Sequence, residues 1–479
     1  MRILVAITNY GTKNTEYAKR LIQEYRSMPF DVDICILSES SKDYGKDVTV
    51  LVGLPSKNPW SLPFGHKKLF ADNIDKYDIF IYTEDDTLIR KENILAFINA
   101  SDSIGEEFVP GFVRYELYPD GRKNYPDIHG PYHWIANSVG KRGEYVFARL
   151  SNEHSACYAL TQGQLRKAMA SGGFLVPPHS GRYDLICSAA TDPYTQCGFT
   201  KIICISHFHE FELHHLPDAY LNRAGLIEKD CALLDEDGQK FQLDALFGIL
   251  SEQRPNNELF VTEKTIPTPE WDKDYYEPCQ YDILSSIPSE AMDILSVGCG
   301  WGATESHLSA KGKRVLAIPL DSVIGRLAEE RGISLLPPDF RQAMEMLDGK
   351  TFDAIILSNV IQHLPDPAEV IAKLGALLTP RGVLVGSTPN LSPMRRLFGR
   401  LFAKNKQKFK LSGDYDGTKL NLTSASAIKK WLRAGKLAPV HVWYKNDAAG
   451  SSSLPLLVSR LLGAVFAASM VFVAVRNSY

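Results

Sequence analysis

The sequence predicts an α/β protein of two doubly wound domains, each with a mostly parallel sheet between layers of helices. At 479 residues the chain exceeds what one ordinary hydrophobic core supports. Short apolar strands alternate with helical stretches near the N-terminus, and the alternation begins again at Asp293. Residues 251–273, rich in proline, asparagine and charge, have the composition of a linker. We therefore place the domains at 1–250 and 274–479.

Composition excludes several classes of protein. Hydrophobic residues make up 44% and charged residues 23% of the chain, which is typical of a globular protein and not of a disordered one. The net charge of −3 gives no electrostatic reason to expect nucleic acid as a partner. The eight cysteines form no C-x-x-C pair, so a zinc ribbon is not expected and a reduced, cytoplasmic setting is favoured.

An acidic cluster follows a buried strand in the N-terminal half. The apolar run Tyr77–Tyr82 leads directly into Thr83-Glu84-Asp85-Asp86. Ligands of doubly wound sheets bind at the carboxyl ends of strands, and adjacent carboxylates repel one another unless a cation or hydrogen-bond donors offset them. Mg²⁺ or Mn²⁺ would suit such a cluster. The alternative is a helix N-terminus stabilised by acids, with Asp86 or Thr87 as its cap.

The segment around this cluster resembles the GT-A glycosyltransferases over roughly residues 1–225. A helix bearing Lys67 and Asn73 precedes the strand, and E-D-D follows it. The resemblance implies that Glu84 and Asp86 hold a divalent metal on the diphosphate of a nucleotide sugar. It also implies a set of residues that contact the nucleotide sugar: Thr8, Asn9, Tyr10, Lys67, Asn73 and Asp85.

Two later clusters are candidates to complete this site. Glu153 and Asp184 are candidate catalytic acids, each able to act as the acceptor base or to stabilise an oxocarbenium-like state. His207 and His209 would share one face of a strand, so one of them could reach the metal, as a late histidine does in many enzymes of the resembled fold. The alternative is that these histidines only pack and form hydrogen bonds.

A glycine loop opens the second series of elements. The apolar run Met292–Val297 leads into Gly298-Cys299-Gly300-Trp301-Gly302, where glycines let the backbone turn tightly beside a ligand. Further on come F-D-x-I-x-x-x-x-V-x-x-H-L-x-D-P and then L-x-P-x-G-x-L. A nucleotide-binding sheet of another kind is the alternative.

This order of motifs resembles the class I S-adenosylmethionine-dependent methyltransferases over roughly residues 275–479. The resemblance implies S-adenosylmethionine as cofactor, with Gly298, Gly300 and Gly302 beside its methionine part. Asn359 and Val360 would line the pocket. His363 would lie near the reaction centre, either as a base for a sugar hydroxyl or as a packing residue of the turn.

One position departs from the methyltransferase pattern. The family usually carries an acid at the end of the second strand, where it accepts the ribose hydroxyls, and here that position is Pro319. Asp321 could replace the acid if the strand end bends. Loss of such a hydrogen bond would cost about 1.5–3 kcal/mol of cofactor affinity. A non-catalytic descendant of the fold is therefore an alternative.

Two segments raise the question of a membrane. Residues 394–410 contain seven basic residues and no acid, and leucines and phenylalanines recur at helical spacing. Such a helix suits an anionic membrane surface or a lipid-diphosphate acceptor, and the alternative is a solvated loop. Residues 454–475 are the longest apolar run. We interpret it as a helix followed by the last, antiparallel strand of the sheet, with a tail anchor as the alternative.

Together these features predict a bifunctional enzyme of bacterial surface glycan synthesis. It would transfer a sugar from a nucleotide sugar, and a methyl group from S-adenosylmethionine, to a glycan acceptor that could be lipid-linked. We expect a cytoplasmic protein, with peripheral contact at the inner face of the cell membrane through residues 394–410. One alternative is a glycosyltransferase carrying a non-catalytic docking module. Another is an N-terminal nucleotide-sugar binder or nucleotidyltransferase.

Overall fold

The computed structural model of the chain describes residues 1–128, 132–221, 235–252, 271–402, 415–445 and 465–477. The chain divides into two compact units, Met1–Glu252 and Gln253–Tyr479. Among the described helices, none has the length and apolar content needed to traverse a bilayer.

Among its described residues, the first unit has thirteen strands and six α-helices. The strands are β1 (Arg2–Thr8), β2 (Asp31–Ser38), β3 (Val48–Val52), β4 (Ile79–Glu84), β5 (Thr87–Leu88), β6 (Phe108–Pro110), β7 (Val113–Leu117), β8 (Lys123–Asn124), β9 (Trp134–Arg142), β10 (Tyr145–Leu150), β11 (Cys157–Thr161), β12 (Thr200–Cys204) and β13 (Glu212–His215). The helices are α1 (Thr15–Arg26), α2 (Gly65–Asp72), α3 (Lys91–Ser101), α4 (Gln162–Ala170), α5 (Leu185–Thr195) and α6 (Glu236–Glu252).

The main sheet of this unit has the order β11-β4-β1-β2-β3. Strands β1 to β4 are parallel, and β11 runs antiparallel to β4 at the edge. Ile3–Ile7 of the central β1 are all buried, as expected of a strand covered on both faces. Because Thr8 pairs with Glu84, the carboxyl ends of β1 and β4 lie side by side. Two four-stranded sheets, β6-β12-β10-β9 and β5-β13-β7-β8, complete the unit.

The second unit contains one seven-stranded sheet. Its strands are β14 (Asp293–Val297), β15 (Arg314–Ile318), β16 (Ser334–Leu335), β17 (Phe352–Ser358), β18 (Leu378–Pro389), β19 (Leu437–Lys445) and β20 (Ser469–Arg476). Its helices are α7 (Tyr281–Ser286), α8 (Ala303–Ser309), α9 (Ser322–Glu330), α10 (Phe340–Met346), α11 (Pro367–Ala376), α12 (Pro393–Phe402), α13 (Tyr415–Thr418) and α14 (Ala425–Ala434).

The strand order is β16-β15-β14-β17-β18-β20-β19, and the strand at the C-terminal end is antiparallel. β20 inserts between β18 and β19, with both of which it pairs antiparallel. The expected last strand is therefore confirmed. The helix expected before it, from residue 454 onward, falls largely on residues 454–464, outside the described residues. The predicted basic helix is present as α12 from Pro393 to Phe402, and its expected continuation, 403–410, also lies outside them.

The predicted linker is too long at both ends. α6 extends to Glu252, and the second unit is already folded at Trp271. Trp271 packs with Leu391 and Leu420, and the Lys273 side chain is fully buried. Composition alone places Lys273 in a linker because a lysine is normally exposed, whereas here two acceptors compensate its burial.

Candidate functional sites

The glycine loop of the second unit lies at the carboxyl end of β14 and has left-handed backbone at three positions. Gly298, Gly300 and Gly302 have φ of 81°, 54° and 82°. A Cβ on Gly298 would lie 2.3 Å from Val360 Cγ1, and one on Gly300 would lie 2.3 Å from the carbonyl oxygen of Tyr275. Conformation and space therefore both demand glycine at these two positions.

A buried polar network covers this loop. Glu277 accepts hydrogen bonds from Ser358 Oγ and Asn359 Nδ2, both at 2.6 Å. Lys273 Nζ donates to Glu277 at 2.9 Å and to the Ser358 carbonyl at 2.7 Å. Sequence reasoning missed Lys273 and Glu277, because a lone lysine and a lone acid in an irregular segment have no local signature.

Two further acids lie near the loop. Glu305, in the first turn of α8, accepts a hydrogen bond of 2.6 Å from Ser296 Oγ, and burial raises its pKa to about 7. Burial also raises the pKa of Asp274 to about 6, with a further contribution from the neighbouring Glu277. Both carboxyls therefore keep their protons to a higher pH than exposed acids do.

Asp321, which follows the end of β15, is the N-cap residue of α9. Its Oδ1 caps α9, accepting hydrogen bonds from the backbone N–H of Val323 at 2.9 Å and of Ile324 at 2.8 Å. Binding of the cofactor ribose by Asp321, as predicted, would therefore compete with this cap. Leu320 precedes it with a φ of 59°, and its side chain packs against Gly298. Pro319 lines a cavity of about 360 Å³ with residues that follow β16.

The turn after β17 brings the remaining predicted residues to the same edge. Asn359 has a φ of 50°, a conformation that asparagine tolerates, and its side chain is held by Glu277. Val360 packs on Gly298. His363 ends a short 3₁₀ helix, its side chain is fully buried, and its carbonyl accepts a hydrogen bond of 2.8 Å from the Tyr415 hydroxyl.

In the first unit, asparagines bind the acidic cluster at the end of β4. Asn9 Nδ2 donates to Asp85 Oδ2 at 2.6 Å. Asn14 Nδ2 donates to Asp85 Oδ1 at 2.8 Å and to Asp86 Oδ2 at 3.1 Å. Oδ1 of Asp86 is buried and accepts no hydrogen bond from the residues that the structure describes. Both oxygens of Asp85 therefore accept hydrogen bonds from asparagines, whereas one oxygen of Asp86 accepts none from the described residues.

The ends of β1 and β2 are linked through Asn9. Lys42 Nζ donates to the Asn9 side-chain oxygen at 2.7 Å, and the Tyr44 hydroxyl donates to the same atom at 2.8 Å. Thr8 lies beside Tyr82, with a hydroxyl–hydroxyl distance of 3.5 Å, and Tyr10 is exposed. Thr8 and Tyr10 therefore lie at the carboxyl end of β1, as expected, while the Asn9 side chain donates a hydrogen bond to Asp85.

Burial raises the pKa of two acids of the cluster, Glu84 and Asp85. Burial, with the nearby Asp86 carboxylate, raises the pKa of Glu84 to about 8. Burial also raises the pKa of Asp85 to about 6, although hydrogen bonds from Asn14 and Asn9 oppose the shift. Without a bound cation, Glu84 therefore keeps its proton to a higher pH than an exposed glutamate does.

The histidine that approaches the cluster is His215. Its Nε2 lies 3.7 Å from Asp86 Oδ2, and its Nδ1 lies 2.6 Å from Glu116 Oε1. The predicted pair is placed elsewhere. His207 contacts Ser206 Oγ at 3.0 Å, and the His209 side chain is 76% exposed beside Glu210. The prediction was wrong about a shared strand face, because β12 ends at Cys204 and a 3₁₀ helix covers Phe208–Phe211.

Two predicted nucleotide-sugar residues have other partners. Lys67 forms a buried ion pair with Asp192 of α5. Asn73 lies at the C-terminal end of α2, where its side chain donates to the Leu69 carbonyl at 2.8 Å. Because β4 starts only six residues later, at Ile79, Asn73 lies near the amino end of that strand, away from Glu84.

The candidate catalytic acid Glu153 contacts Arg182 and Tyr183, the two residues that precede the other candidate, Asp184. Glu153 Oε2 is 3.6 Å from Arg182 Nη1, and the Glu153 backbone N–H donates to the Tyr183 hydroxyl at 2.9 Å. Asp184 caps α5 by accepting from the Cys187 N–H at 2.8 Å. Burial is the main cause of the raised pKa of Glu84, and the Asp184 charge adds a minor contribution.

Within the described residues, no group of three or more His, Cys, Asp or Glu side chains is arranged to hold a metal ion. A cation bound at Asp86 and His215 would therefore need further oxygen ligands from a substrate. Hard divalent cations are often completed in this way by phosphate oxygens.

Comparison with known proteins concerns the second unit. Residues 276–442 match the family described as a methyltransferase domain. The ubiquinone biosynthesis O-methyltransferase of Hahella chejuensis is 28% identical over 161 residues, covering 33% of this chain and 66% of the relative. The enzyme of the same name from Xylella fastidiosa is 35% identical over 119 residues, covering 24% and 48%. The chain thus spans about half to two thirds of the length of these relatives.

Solved structures give weaker likenesses. A putative methyltransferase in complex with the Haloferax volcanii Trm112 activator is 14% identical with a TM-score of 0.31, covering 42% of this chain and 88% of that one. Magnesium protoporphyrin IX methyltransferase from Synechocystis PCC 6803 is 16% identical with a TM-score of 0.25, covering 40% and 73%.

The family match covers the left-handed glycine loop, strands β14 to β18 and the first part of β19. The second unit of this chain therefore contains a class I S-adenosylmethionine-dependent methyltransferase domain.

Proposed function

We propose that the second unit transfers a methyl group from S-adenosylmethionine. The observation that carries this proposal is the glycine loop, in which Gly298 and Gly300 leave no room for side chains at the carboxyl end of β14. The cofactor carries a sulfonium and an ammonium group, and the buried Glu305 carboxyl near the loop suits such a cation. The methionine part of the cofactor would lie beside the loop, with Asn359 and Val360 lining the pocket.

The acceptor atom that we propose is an oxygen. The curated relatives named above are O-methyltransferases, and a hydroxyl needs a base because it is a poor nucleophile until deprotonated. His363 lies on the turn after β17, at the edge where Gly298 and Val360 meet. As its side chain is fully buried, its action as a base requires an acceptor that enters the pocket and reaches it.

Pro319 weakens the adenosine end of this proposed site. A proline side chain accepts no hydrogen bond, and Asp321 already caps α9. We propose that the ribose hydroxyls lack the usual charged acceptor, so that binding relies on the methionine end. The alternative function of this unit, a docking module that does not turn over, rests on the same feature.

A second proposed function, metal-dependent transfer of a sugar from a nucleotide sugar, rests on the first unit. The carboxyl ends of β1 and β4 lie side by side, with Thr8 paired with Glu84, two residues before Asp86. Asp86 has an available buried oxygen, and His215 Nε2 faces the same carboxylate. If His215 is neutral and donates its Nδ1–H to Glu116, a lone pair remains on Nε2. This is the usual arrangement of a metal-binding histidine.

Asp86 and His215 would hold Mn²⁺ or Mg²⁺, and the nucleotide diphosphate would supply the other ligands. The bound metal would neutralise charge on the leaving diphosphate. Asp184 or Glu153 would act on the acceptor side. On a single chain, one activity would raise the local concentration of its product for the other, which suits synthesis and methylation of a glycan.

Substitution of Pro319 tests the cofactor proposal. Pro319→Asp restores an acceptor at the end of β15, so we expect S-adenosylhomocysteine to bind about tenfold more tightly or better. Calorimetric titration measures this, with Pro319→Ala as the matched control that removes the ring without adding an acceptor. Equal affinities of the aspartate and alanine variants would contradict the proposed role of this position.

Two substitutions test the metal proposal. We expect the full chain to bind UDP or GDP only with Mn²⁺ present. Asp86→Asn and His215→Ala should each weaken that binding by roughly 10- to 100-fold. His209→Ala, at an exposed histidine six residues before His215, is the matched control and should bind as wild type. Metal-independent binding, or an equal loss with His209→Ala, would contradict the assignment.

The protonation of Glu84 predicts a pH-dependent stability. Its pKa is raised from 4.5 to about 8 on folding, so the folded state binds more protons between these values. Stability should therefore fall as pH rises from 4.5 to 8, by at most about 1.4 kcal/mol per pH unit. Glu84→Gln should flatten this dependence in urea unfolding. Glu92→Gln, on the exposed first turn of α3, should keep the pH dependence of stability. An unchanged pH dependence in Glu84→Gln would show that Glu84 is not its cause.

A further inference from the structure

Helix α12 exposes its apolar side to solvent. Met394, Leu397 and Leu401 follow one another at i, i+3 and i+7, and their exposed fractions are 43%, 52% and 54%. Phe402 is 76% exposed, and none of the residues of α12 is buried. An amphipathic helix of a globular unit normally turns its apolar stripe to the core, so this orientation is reversed.

A neighbouring residue extends the apolar surface. Phe466 is 67% exposed, and its ring centroid lies 6.2 Å from that of Phe398, which in turn lies 5.7 Å from Phe402. Arg395 fixes the two segments together by donating to the Phe466 carbonyl at 2.9 Å. We call the set formed by Met394, Leu397, Leu401, Phe402 and Phe466 the apolar face of α12. Contiguous exposed apolar groups of this kind mark binding surfaces.

The charges on α12 itself have one sign. Arg395, Arg396 and Arg400 belong to α12, and the sequence from Met394 to Lys410 contains four further lysines and no acid. An apolar stripe flanked only by cations complements a surface with anionic headgroups above hydrocarbon. A soluble anionic partner would explain the cations but not the exposed leucines and phenylalanines.

The helix also has a defined place in the unit. It begins at Pro393, four residues after β18 ends at Pro389, and is therefore connected to the carboxyl edge of the sheet. β18 pairs with β17 up to Ser358, so this is the edge that carries Asn359, Val360 and the glycine loop. A membrane contact here would place the cofactor edge close to the lipid headgroups.

We propose that the apolar face of α12 inserts into the surface of a bilayer that contains anionic lipid. Leucine and phenylalanine side chains would enter the boundary between headgroups and acyl chains, and the exposed Arg400 would contact lipid phosphates. The contact is peripheral, and it goes beyond the proposed methyl transfer because it does not require turnover.

Vesicle sedimentation of the full chain tests this inference. Wild type should sediment with vesicles of phosphatidylcholine and phosphatidylglycerol, and much less with phosphatidylcholine alone or at high salt. The double variant Leu397→Asp/Leu401→Asp should reduce partitioning by roughly tenfold or more. Met346→Asp, at a methionine of α10 that is 54% exposed, is the matched control and should partition as wild type.

Other results would overturn the inference. These are failure of wild type to sediment with anionic vesicles, equal sedimentation with both kinds of vesicle, and an unaffected double variant. A dimer in light scattering that the double variant abolishes, without vesicle binding, would assign the face to a second copy of the chain. S-adenosylhomocysteine titration of the same variants separates this test from that of the proposed function, because α12 does not line the glycine loop.

Discussion

At the end of β14 the chain turns in a space bounded by the Val360 side chain on one side and the Tyr275 carbonyl on the other. Any Cβ at Gly298 or Gly300 would approach these atoms to 2.3 Å, and both residues have left-handed backbone. The turn therefore fixes where β17, the segment before α7 and the start of α8 can pack. This packing is possible only because these positions carry no side chain.

Both units place polar groups at the carboxyl ends of parallel strands, but they stabilise buried charge differently. In the second unit Lys273 and two side-chain donors satisfy Glu277. In the first unit Asn9 and Asn14 satisfy Asp85, while one oxygen of Asp86 has no donor among the described residues. Buried charge is costly unless it is paired, so the unsatisfied oxygen is the better indication of a ligand.

The sequence predicts the parts of the fold that have a local signal. Apolar runs locate β1, β4, β14 and β17, and the glycine loop is visible because it interrupts such a run. The cap at Asp321 was also accessible, since an acid directly before a helical stretch is a common N-cap. Glu277 was not accessible as a site residue, because its partner Ser358 lies 81 residues away along the chain. The 3₁₀ turn that separates His207 from its expected strand face leaves no periodic pattern.

Titration of the full chain with S-adenosylhomocysteine, in wild type and in two glycine variants, tests the central claim most directly. Gly298→Ala strains a left-handed residue and also places a methyl group against Val360. Gly312→Ala strains a left-handed residue with φ 78° where nothing lies within 4 Å. If the loop binds the cofactor, wild type and Gly312→Ala bind S-adenosylhomocysteine and a folded Gly298→Ala does not. No binding by wild type, or equal binding by both variants, would contradict the claim.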